Sequence, residues 1–294
     1  MLDDTTPGVC SALVEPVRHL DPADVALVAP GEMPDLPHDD VWQVDAAGAE
    51  TTIGDLLTPG SVVLSTGHHQ RLGALAQRAS DEVGAQFVTV QGGLITPHAP
   101  PLASGTTLLA WTGADADYWR SGRDDVAARV VGSQLLWDAA THPGEPPEPG
   151  THPVWLGQLN GVDELPRRVL ADTAEAFCKA ERATYRPHPA ERDRRSRATH
   201  RHLETEGIEV DRSTAALREL NAPVVSIFST GVLEAATAGL PAWVYLPDPP
   251  PWVVELWSRY GLARWGDDPT DPAPRPSLEP ARAVAHVVRE LLAV

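Results

Sequence analysis

Short apolar segments rich in β-branched residues alternate with amphipathic segments along the whole chain. The short segments predict buried strands, and the longer ones, with apolar residues at helical spacing, predict helices. Strands that alternate with helices form right-handed βαβ units, so the sequence predicts an α/β protein with parallel sheets. The predicted strands are Val25–Ala29, Val41–Val44, Val62–Ser65, Phe87–Val90, Leu108–Trp111, Arg129–Val131, Val154–Leu156, Ala183–Arg186, Ile208–Val210, Val224–Phe228 and Trp243–Leu246.

The helical segments fall between these strands, and one proline-rich segment interrupts the alternation. His142–Pro153 contains five prolines and two glycines in twelve residues. Proline fixes φ and removes an amide donor, so this composition predicts a linker between two halves. The predicted helices are Gln70–Val83, Asp115–Gly122, Gln134–Ala140, Asp163–Lys179, Ala190–Glu206, Ser213–Leu220, Gly231–Ala238, Trp252–Tyr260 and Pro280–Leu292.

Composition narrows the function classes. The 294 residues are 42% hydrophobic, enough for two domains with buried cores, and the formal net charge of -18 argues against a sequence-independent nucleic-acid binder. Two cysteines, Cys10 and Cys178, are too few for a disulfide framework. Met1–Leu20 does not read as a signal peptide and no stretch predicts a membrane span. We expect a cytoplasmic protein whose membrane association, if any, is peripheral.

The segment Val224–Pro241 places a polar turn at the end of a buried strand. After Phe228 come Ser229, Thr230 and Gly231, which lead into a helix. Glycine lets a ligand approach the backbone, and the amides at a helix start bind anions such as phosphate. The turn therefore predicts a phosphate site. A hydroxyl that only caps the helix is the alternative.

A second polar turn follows the predicted strand Ala183–Arg186. Two prolines flank His188 and fix the backbone on either side of it. An imidazole held at a strand end can donate a hydrogen bond to a phosphate or lie beside a base. The alternative is a stiff strand-to-helix turn with an exposed histidine.

Together, these turns resemble part of a known family. Tyr-Arg-Pro-His-Pro at 185–189, followed forty residues later by Ser-Thr-Gly-x-x-Glu-Ala-x-x-x-Gly-x-Pro at 229–241, resembles the C-terminal half of GT-B bacterial polysaccharide glycosyltransferases. The similarity is greatest to capsule and lipooligosaccharide sialyltransferases, with their His-Pro and Ser-Ser/Thr motifs; Kdo transferases and CDP-glycerol glycerophosphotransferases share related patterns. The resemblance implies a GT-B-like fold with two Rossmann-like domains facing a cleft, and a CMP- or CDP-linked sugar donor.

The resemblance also assigns roles. His188 would contact the nucleotide phosphate and donate a proton as it departs, Ser229 and Thr230 would hold that phosphate, and Glu234 would bind the ribose hydroxyls. Gly157 and Gln158 follow the first strand of the second domain, where a GT-B loop faces the nucleotide-sugar; a plain βα turn is the alternative. The predicted nucleotide-binding residues are Gly157, Gln158, Arg186, His188, Pro189, Ser229, Thr230, Gly231 and Glu234.

The family organisation sets the expected domain roles and partners. Residues 1–141 would bind a saccharide acceptor, 142–153 would be the linker, and 154–294 would bind the nucleotide-sugar. Transfer would need no metal and no cofactor, because fixed amide, hydroxyl and imidazole donors stabilise the departing phosphate.

Two polar strand ends stand out in the first half. The turn after Val62–Ser65 carries His68 and His69, and the loop after Phe87–Val90 carries Gln91, Gly92, Gly93, Thr96 and His98. We expect Gln91, Gly92, Gly93 and Thr96 to contact the acceptor. Related transferases often have histidine where Gly92 stands, so His68, His69 and His98 are the candidate bases beside His188. A metal site at these histidines is disfavoured, because no cysteine or acidic partner lies nearby.

Two other functions fit the same pattern. A non-hydrolysing sugar-nucleotide epimerase shares the GT-B architecture and a ribose-binding glutamate, and it needs no acceptor. A non-catalytic nucleotide-sugar-binding protein would bind nucleotide without transfer or hydrolysis. A dinucleotide dehydrogenase is disfavoured, since no G-x-G-x-x-G follows an early strand.

Overall fold

The computed structural model describes residues 1–31, 33, 36–37, 48–159 and 165–293. It divides into two compact units. Unit 1 comprises Met1–Ile95, Ala99–Trp137 and Pro276–Val294, and unit 2 comprises Thr96–His98 and Asp138–Arg275. The predicted strand Val41–Val44 and the first residues of the predicted helix Asp163–Lys179 lie outside the described residues.

Unit 1 is built on a four-stranded parallel sheet in the order β1-β2-β3-β4. Both faces of the sheet are covered, because alternate residues of a strand point to opposite sides. Val88 of β2 packs with Val284 of α10 on one face, and Phe87 packs with Ile53 and Ala76 of α2 and α3 on the other. The elements are α1 (Pro7–Leu13), α2 (Ala49–Leu56), β1 (Val62–Ser65), α3 (Arg71–Val83), β2 (Gln86–Val90), β3 (Thr107–Ala110), α4 (Gly113–Arg120), β4 (Ala127–Val130), α5 (Gln134–Thr141) and α10 (Pro280–Leu292).

Unit 2 has a second four-stranded parallel sheet, in the order β6-β5-β7-β8. Its apolar centre includes Trp155 of β5, whose ring lies 5.0 Å from that of Phe177 on α6. The elements of unit 2 are β5 (Val154–Leu156), α6 (Arg167–Glu181), β6 (Thr184–Arg186), α7 (Arg194–Thr205), β7 (Val224–Ser226), α8 (Thr230–Thr237), β8 (Ala242–Val244) and α9 (Pro251–Arg259). These two parallel sheets confirm the predicted α/β class with two Rossmann-like sheets.

Three predicted elements are absent or reduced. Val25–Ala29 is not a strand: Leu2 N donates to Val28 O (3.0 Å), and Val25 N donates back to Pro22 O (3.3 Å), but no ladder forms along the segment. In place of the predicted strand Ile208–Val210 there is one bridge between Val210 and Tyr185. The predicted helix Ser213–Leu220 is only a 3-10 turn at Leu217–Glu219.

The C-terminal helix belongs to a different unit from the one the sequence boundary assigned to it. The predicted second domain was 154–294, whereas α10 packs its apolar face, including Val284 and Val288, on the core of unit 1. The predicted linker His142–Pro153 has no helix or strand, and Gly144 N donates to Ala238 O of unit 2 (2.9 Å). Within the described ranges, no helix combines the length and the apolar character that crossing a bilayer requires.

Candidate functional site

The carboxyl ends of β5 and β7 form the point of unit 2 at which the strand order reverses. The chain leaves β5 toward β6 on one side of it and then returns to β7 on the other side. Loops that leave neighbouring strands in opposite directions open a crevice there, and ligands of open α/β sheets bind in it. Residues 157–159 and 227–230 follow these two strands and contain four of the predicted site residues, Gly157, Gln158, Ser229 and Thr230.

Gln158 ties the two strand ends together. Its side-chain oxygen accepts hydrogen bonds from the backbone amides of Ile227 (3.2 Å) and Phe228 (2.9 Å), and lies 2.9 Å from the Ser226 hydroxyl. The geometry therefore gives this oxygen a structural role. Contact between Gln158 and a nucleotide stays a prediction. Such a contact would use the side-chain amide nitrogen of Gln158.

A buried hydrogen-bond network that sequence reasoning missed supports the loop after β5. The Glu191 side chain is fully buried and accepts from the Tyr185 hydroxyl (2.9 Å), from His200 Nε2 (2.7 Å) and from Leu159 N (2.9 Å). Burial, reinforced by the Glu191 carboxylate, raises the pKa of Tyr185 well above its ordinary value. The signal in the sequence was the spacing of Ser196, His200 and Leu203, which share the buried face of α7.

Gly157 is required by this network. A Cβ atom at Gly157 would lie 2.4 Å from the Tyr185 hydroxyl and 2.7 Å from Glu191 Oε1. The next turn of the loop is held by Arg167, which donates to Leu159 O (2.9 Å) and to the Ser196 hydroxyl (2.9 Å). The absence of a side chain at Gly157 thus makes room for the polar network, and its contact with a nucleotide stays a prediction.

His188 lies in the turn between β6 and α7. Its Nδ1 accepts a hydrogen bond from Ala190 N (3.1 Å), and its carbonyl accepts from Glu191 N (2.8 Å). An Nδ1 that accepts places the proton of a neutral imidazole on Nε2, which makes Nε2 the donor. The carbonyl of the exposed Pro189 accepts from Arg192 Nε (2.8 Å).

Arg186 ends β6 and is held by the chain itself. Its guanidinium donates to Asp211 (3.2 Å) and to the Ala215 carbonyl, and the side chain is largely buried. Asp211 has a pKa below its ordinary value because hydrogen bonds from Ser213 and the charge of Arg186 outweigh its partial burial. The predicted contact of Arg186 with a nucleotide stays a prediction.

Ser229 caps α8, and Gly231 follows in its first turn. The Ser229 hydroxyl accepts from Gly231 N (3.1 Å), so the capping alternative is realised, and the hydroxyl proton is left as a possible donor. A Cβ atom at Gly231 would lie 2.6 Å from Leu156 Cδ1 and 3.0 Å from Leu217 Cδ1. Packing against these leucines gives a structural reason for this glycine, and the approach of a ligand to its backbone stays a prediction. Thr230, the first residue of α8, is half-buried.

Glu234 lies one turn further along α8. Burial raises the pKa of its carboxyl group to about 7, although the nearby positive charges of Arg218 and Arg186 act in the opposite direction. In the described part of the chain, no residue donates a hydrogen bond to this carboxyl group. A carboxyl group that titrates near neutral pH at a strand-order reversal is a candidate for binding hydroxyls.

This pKa predicts a pH dependence. Because folding raises the pKa of Glu234 from its ordinary value near 4.5 to about 7, the folded protein retains a proton that the unfolded chain has lost between those values. The free energy of unfolding should therefore fall as the pH rises through this window. Glu234→Gln should remove that fall, so the variant gains stability relative to wild type from pH 5 to pH 8 in urea unfolding. Parallel pH profiles for the two proteins would contradict the assignment.

His98 and Thr96 belong to unit 2, not to the unit that contains the rest of their loop. The Thr96 hydroxyl accepts from His98 N (3.3 Å). The exposed His98 ring meets the indole of Trp252 edge to face, with the centroids 5.3 Å apart, and Trp252 packs on Phe228 (5.6 Å). This candidate base therefore lies in an aromatic group at the end of β7. The predicted contact of Thr96 with the acceptor stays a prediction.

In unit 1, the turn after β1 holds His68 and His69 beside the start of α3. Asp3 accepts from Leu72 N (2.6 Å) and Gly73 N (2.9 Å), so a carboxylate of the chain occupies the amino end of that helix. Burial lowers the pKa of His69, and His68 adds to that effect, while Asp3 opposes it. A neutral imidazole can accept a proton, so His69 retains the chemistry of a candidate base.

Gln91, Gly92 and Gly93 follow β2 in unit 1. The Gln91 side chain is fully buried, accepts from Trp111 N (2.8 Å) and donates to Gly93 O (2.9 Å), so it fixes the loop. A Cβ atom at Gly92 would come within 3.2 Å of Thr66 Cγ2. Gln91 also lines a small pocket of unit 1 with Trp111. Acceptor binding by these residues stays a prediction.

The chain matches no protein-family model and no curated protein. Among solved structures it is similar to the UDP-GlcNAc 2-epimerase from Methanocaldococcus jannaschii, with 14% sequence identity and a TM-score of 0.45 over 84% of this chain and 81% of that chain. A likeness at this level assigns no activity to the chain.

Proposed function

We propose that the chain is a glycosyltransferase that moves a sugar from a cytidine-linked nucleotide donor to a saccharide acceptor without a metal ion. The observation that carries the proposal is the set of polar donors at the carboxyl ends of β6 and β7 in unit 2. They comprise His188 after β6, and Ser229 and Thr230 at the start of α8. The sequence motif that contains these residues resembles the nucleotide-binding half of GT-B polysaccharide transferases.

The spacing of these donors suits a nucleotide. β6 and β7 lie on either side of β5, and neighbouring strands are about 4.8 Å apart, so the two groups of donors follow strands roughly 10 Å apart. The side chains of both groups would have to extend into this gap to reach one phosphate, so His188 and the hydroxyls at α8 would contact different oxygens of that phosphate. Glu234 on α8 is the group we assign to the ribose hydroxyls.

The proposed role of these residues is to stabilise negative charge on the departing phosphate. When the bond between the sugar and the phosphate breaks, negative charge develops on the phosphate oxygens. The Nε2 proton of His188, the hydroxyls of Ser229 and Thr230, and the amino end of α8 can stabilise that charge. The acceptor hydroxyl loses its proton to a base, and His68, His69 and His98 remain the candidates.

Calorimetry with free nucleotides tests the proposal. We expect CMP or CDP to bind more tightly than UDP or GDP, and binding to be unchanged by EDTA because protein donors hold the phosphate. A clear preference for a purine nucleotide would refute the cytidine assignment. Loss of binding on chelation that Mg²⁺ or Mn²⁺ restores would refute the metal-independent mechanism.

Analysis of the products distinguishes between the possible reactions. A glycosyltransferase forms a new glycosidic bond only when a saccharide acceptor is present with the sugar-nucleotide. An epimerised sugar-nucleotide formed without acceptor would assign the chain to the epimerase alternative. Nucleotide binding without turnover across a set of acceptors would favour a non-catalytic binding protein.

A further inference from the structure

Trp252 is a half-buried tryptophan beside the end of β7. The indole nitrogens of Trp111, Trp119, Trp243 and Trp257 each donate to a backbone carbonyl, at distances of 2.9, 2.9, 2.9 and 2.7 Å. No described residue accepts a hydrogen bond from Nε1 of Trp252, which is half-buried. The same holds for Trp155 and Trp265, but Trp155 is buried in the apolar centre of unit 2 and Trp265 packs against Phe177 and Trp243. The ring contacts of Trp252 are with Phe228 and with the exposed His98 ring, so its half-buried indole lies at the surface of unit 2 and not in its apolar centre.

The position of Trp252 is nevertheless fixed. It is the second residue of α9, after the three prolines 249–251. One turn later, Trp257 donates to Ile227 O (2.7 Å) and attaches α9 to the end of β7. The ring of Phe228 packs against the indole, with the centroids 5.6 Å apart and the planes at 57°. Such an indole offers a rigid ring face at little entropic cost.

The rings lie next to the donors that we assign to the nucleotide phosphate. Phe228 directly precedes Ser229, and consecutive Cα atoms are about 3.8 Å apart. His98 stands against the indole at 78°, with the centroids 5.3 Å apart, and the two rings form a corner. A flat ring that stacks on one wall of such a corner presents its own edge to the face of the other wall.

We propose that Trp252 is the stacking platform for the nucleobase of the nucleotide, with His98 as the side wall. This inference rests on the proposed function, because the base is that of the nucleotide whose phosphate lies at α8. Stacking of a base on an aromatic side chain is tolerant of base identity. The platform therefore explains attachment of the base, and selection of cytosine requires further polar contacts.

The test compares CMP with ribose 5-phosphate, which has the same phosphate and ribose but lacks the base. Trp252→Leu removes the ring and keeps an apolar side chain over Phe228. It should weaken CMP binding by about 5- to 150-fold, the range found when a stacking aromatic residue is removed. Affinity for ribose 5-phosphate should stay within about twofold, and Trp252→Phe, which retains a ring, should recover most of the CMP affinity.

The other outcomes separate the two proposals. CMP binding that Trp252→Leu leaves unchanged would overturn the platform and leave the proposed function standing. Equal losses for CMP and ribose 5-phosphate would show that Trp252 shapes the phosphate site and would also overturn the platform. If wild-type protein binds neither ligand, the proposed function fails and the platform fails with it.

Discussion

Glu191→Ala is expected to lower the free energy of unfolding of unit 2 by about 3–5 kcal/mol, the cost of removing one partner from a buried charged network. The substitution would leave the Tyr185 hydroxyl, the His200 ring and Leu159 N without their acceptor in a region closed to water. Urea unfolding followed by tryptophan fluorescence and circular dichroism measures the loss.

Two further variants make this experiment specific. Glu206→Ala removes an exposed carboxylate at the end of α7 that pairs with Lys179, and it should cost at most about 1 kcal/mol. Glu191→Gln retains an oxygen for Leu159 N and places an amide beside Tyr185 and His200, so its stability should fall between wild type and Glu191→Ala. A Glu191→Ala protein as stable as Glu206→Ala would show that the network contributes nothing.

The second large effect is expected on binding, from His188→Ala. If Nε2 of His188 donates to the nucleotide phosphate, its loss removes a hydrogen bond to a charged group, which contributes roughly 1.5–3 kcal/mol. CMP should then bind about 10- to 100-fold more weakly. Affinity for cytidine, which has no phosphate, should be unchanged in calorimetry.

His188→Asn is the matched control for the turn. The asparagine oxygen can accept from Ala190 N, as Nδ1 of His188 does now, because asparagine side chains bond to the backbone two residues further on. This variant therefore keeps the turn but has no group at the position of Nε2, and it should lose CMP affinity as His188→Ala does. If His188→Asn bound CMP as tightly as wild type, His188 would serve only to shape the turn and would not bind the phosphate.

The strands that the sequence predicted best are those with continuous apolar segments. Val62–Ser65 and Val154–Leu156 occur with the predicted bounds. Val154–Leu156 is buried between two parallel neighbours, and Val62–Ser65 pairs with β2 at the edge of its sheet. Val25–Ala29 has the same composition but no strand forms there, because β-propensity depends on the pairing and burial that a segment finds.

Local side-chain hydrogen bonds explain the failure at Ser213–Leu220. Ser213 N donates to the Asp211 carboxylate, and the Ala215 carbonyl accepts from Arg186 instead of from a helical amide. Such bonds compete with the helix and shorten it to the turn at Leu217–Glu219. Because Arg186 is distant in sequence, periodicity alone could not reveal this competition.

The sequence predicted which strand ends carry the residues of the candidate site. It did not predict the hydrogen bonds that those residues make. The order β6-β5-β7-β8 brings the motifs around His188 and Ser229 to the same edge of one sheet, as expected of parallel strands. The role of Gln158 as a bridge between strand ends and the burial of Glu191 depend on residues 32 to 70 positions away. Such distant pairings are set by the folded topology and leave little trace in local sequence.

Asp3 places a carboxylate of the chain itself at the amino end of α3. Its carboxylate accepts from two amides at the amino end of α3. A tethered group of this kind acts at an effective concentration that reaches the millimolar range, so a phosphate from solution would have to outcompete it. The turn after β1 is thus occupied by the chain itself, and a second nucleotide would find no vacant helix terminus there. A phosphate that entered unit 1 at this turn would first have to displace Asp3, whereas at the start of α8 the group that accepts from Gly231 N is the uncharged hydroxyl of Ser229.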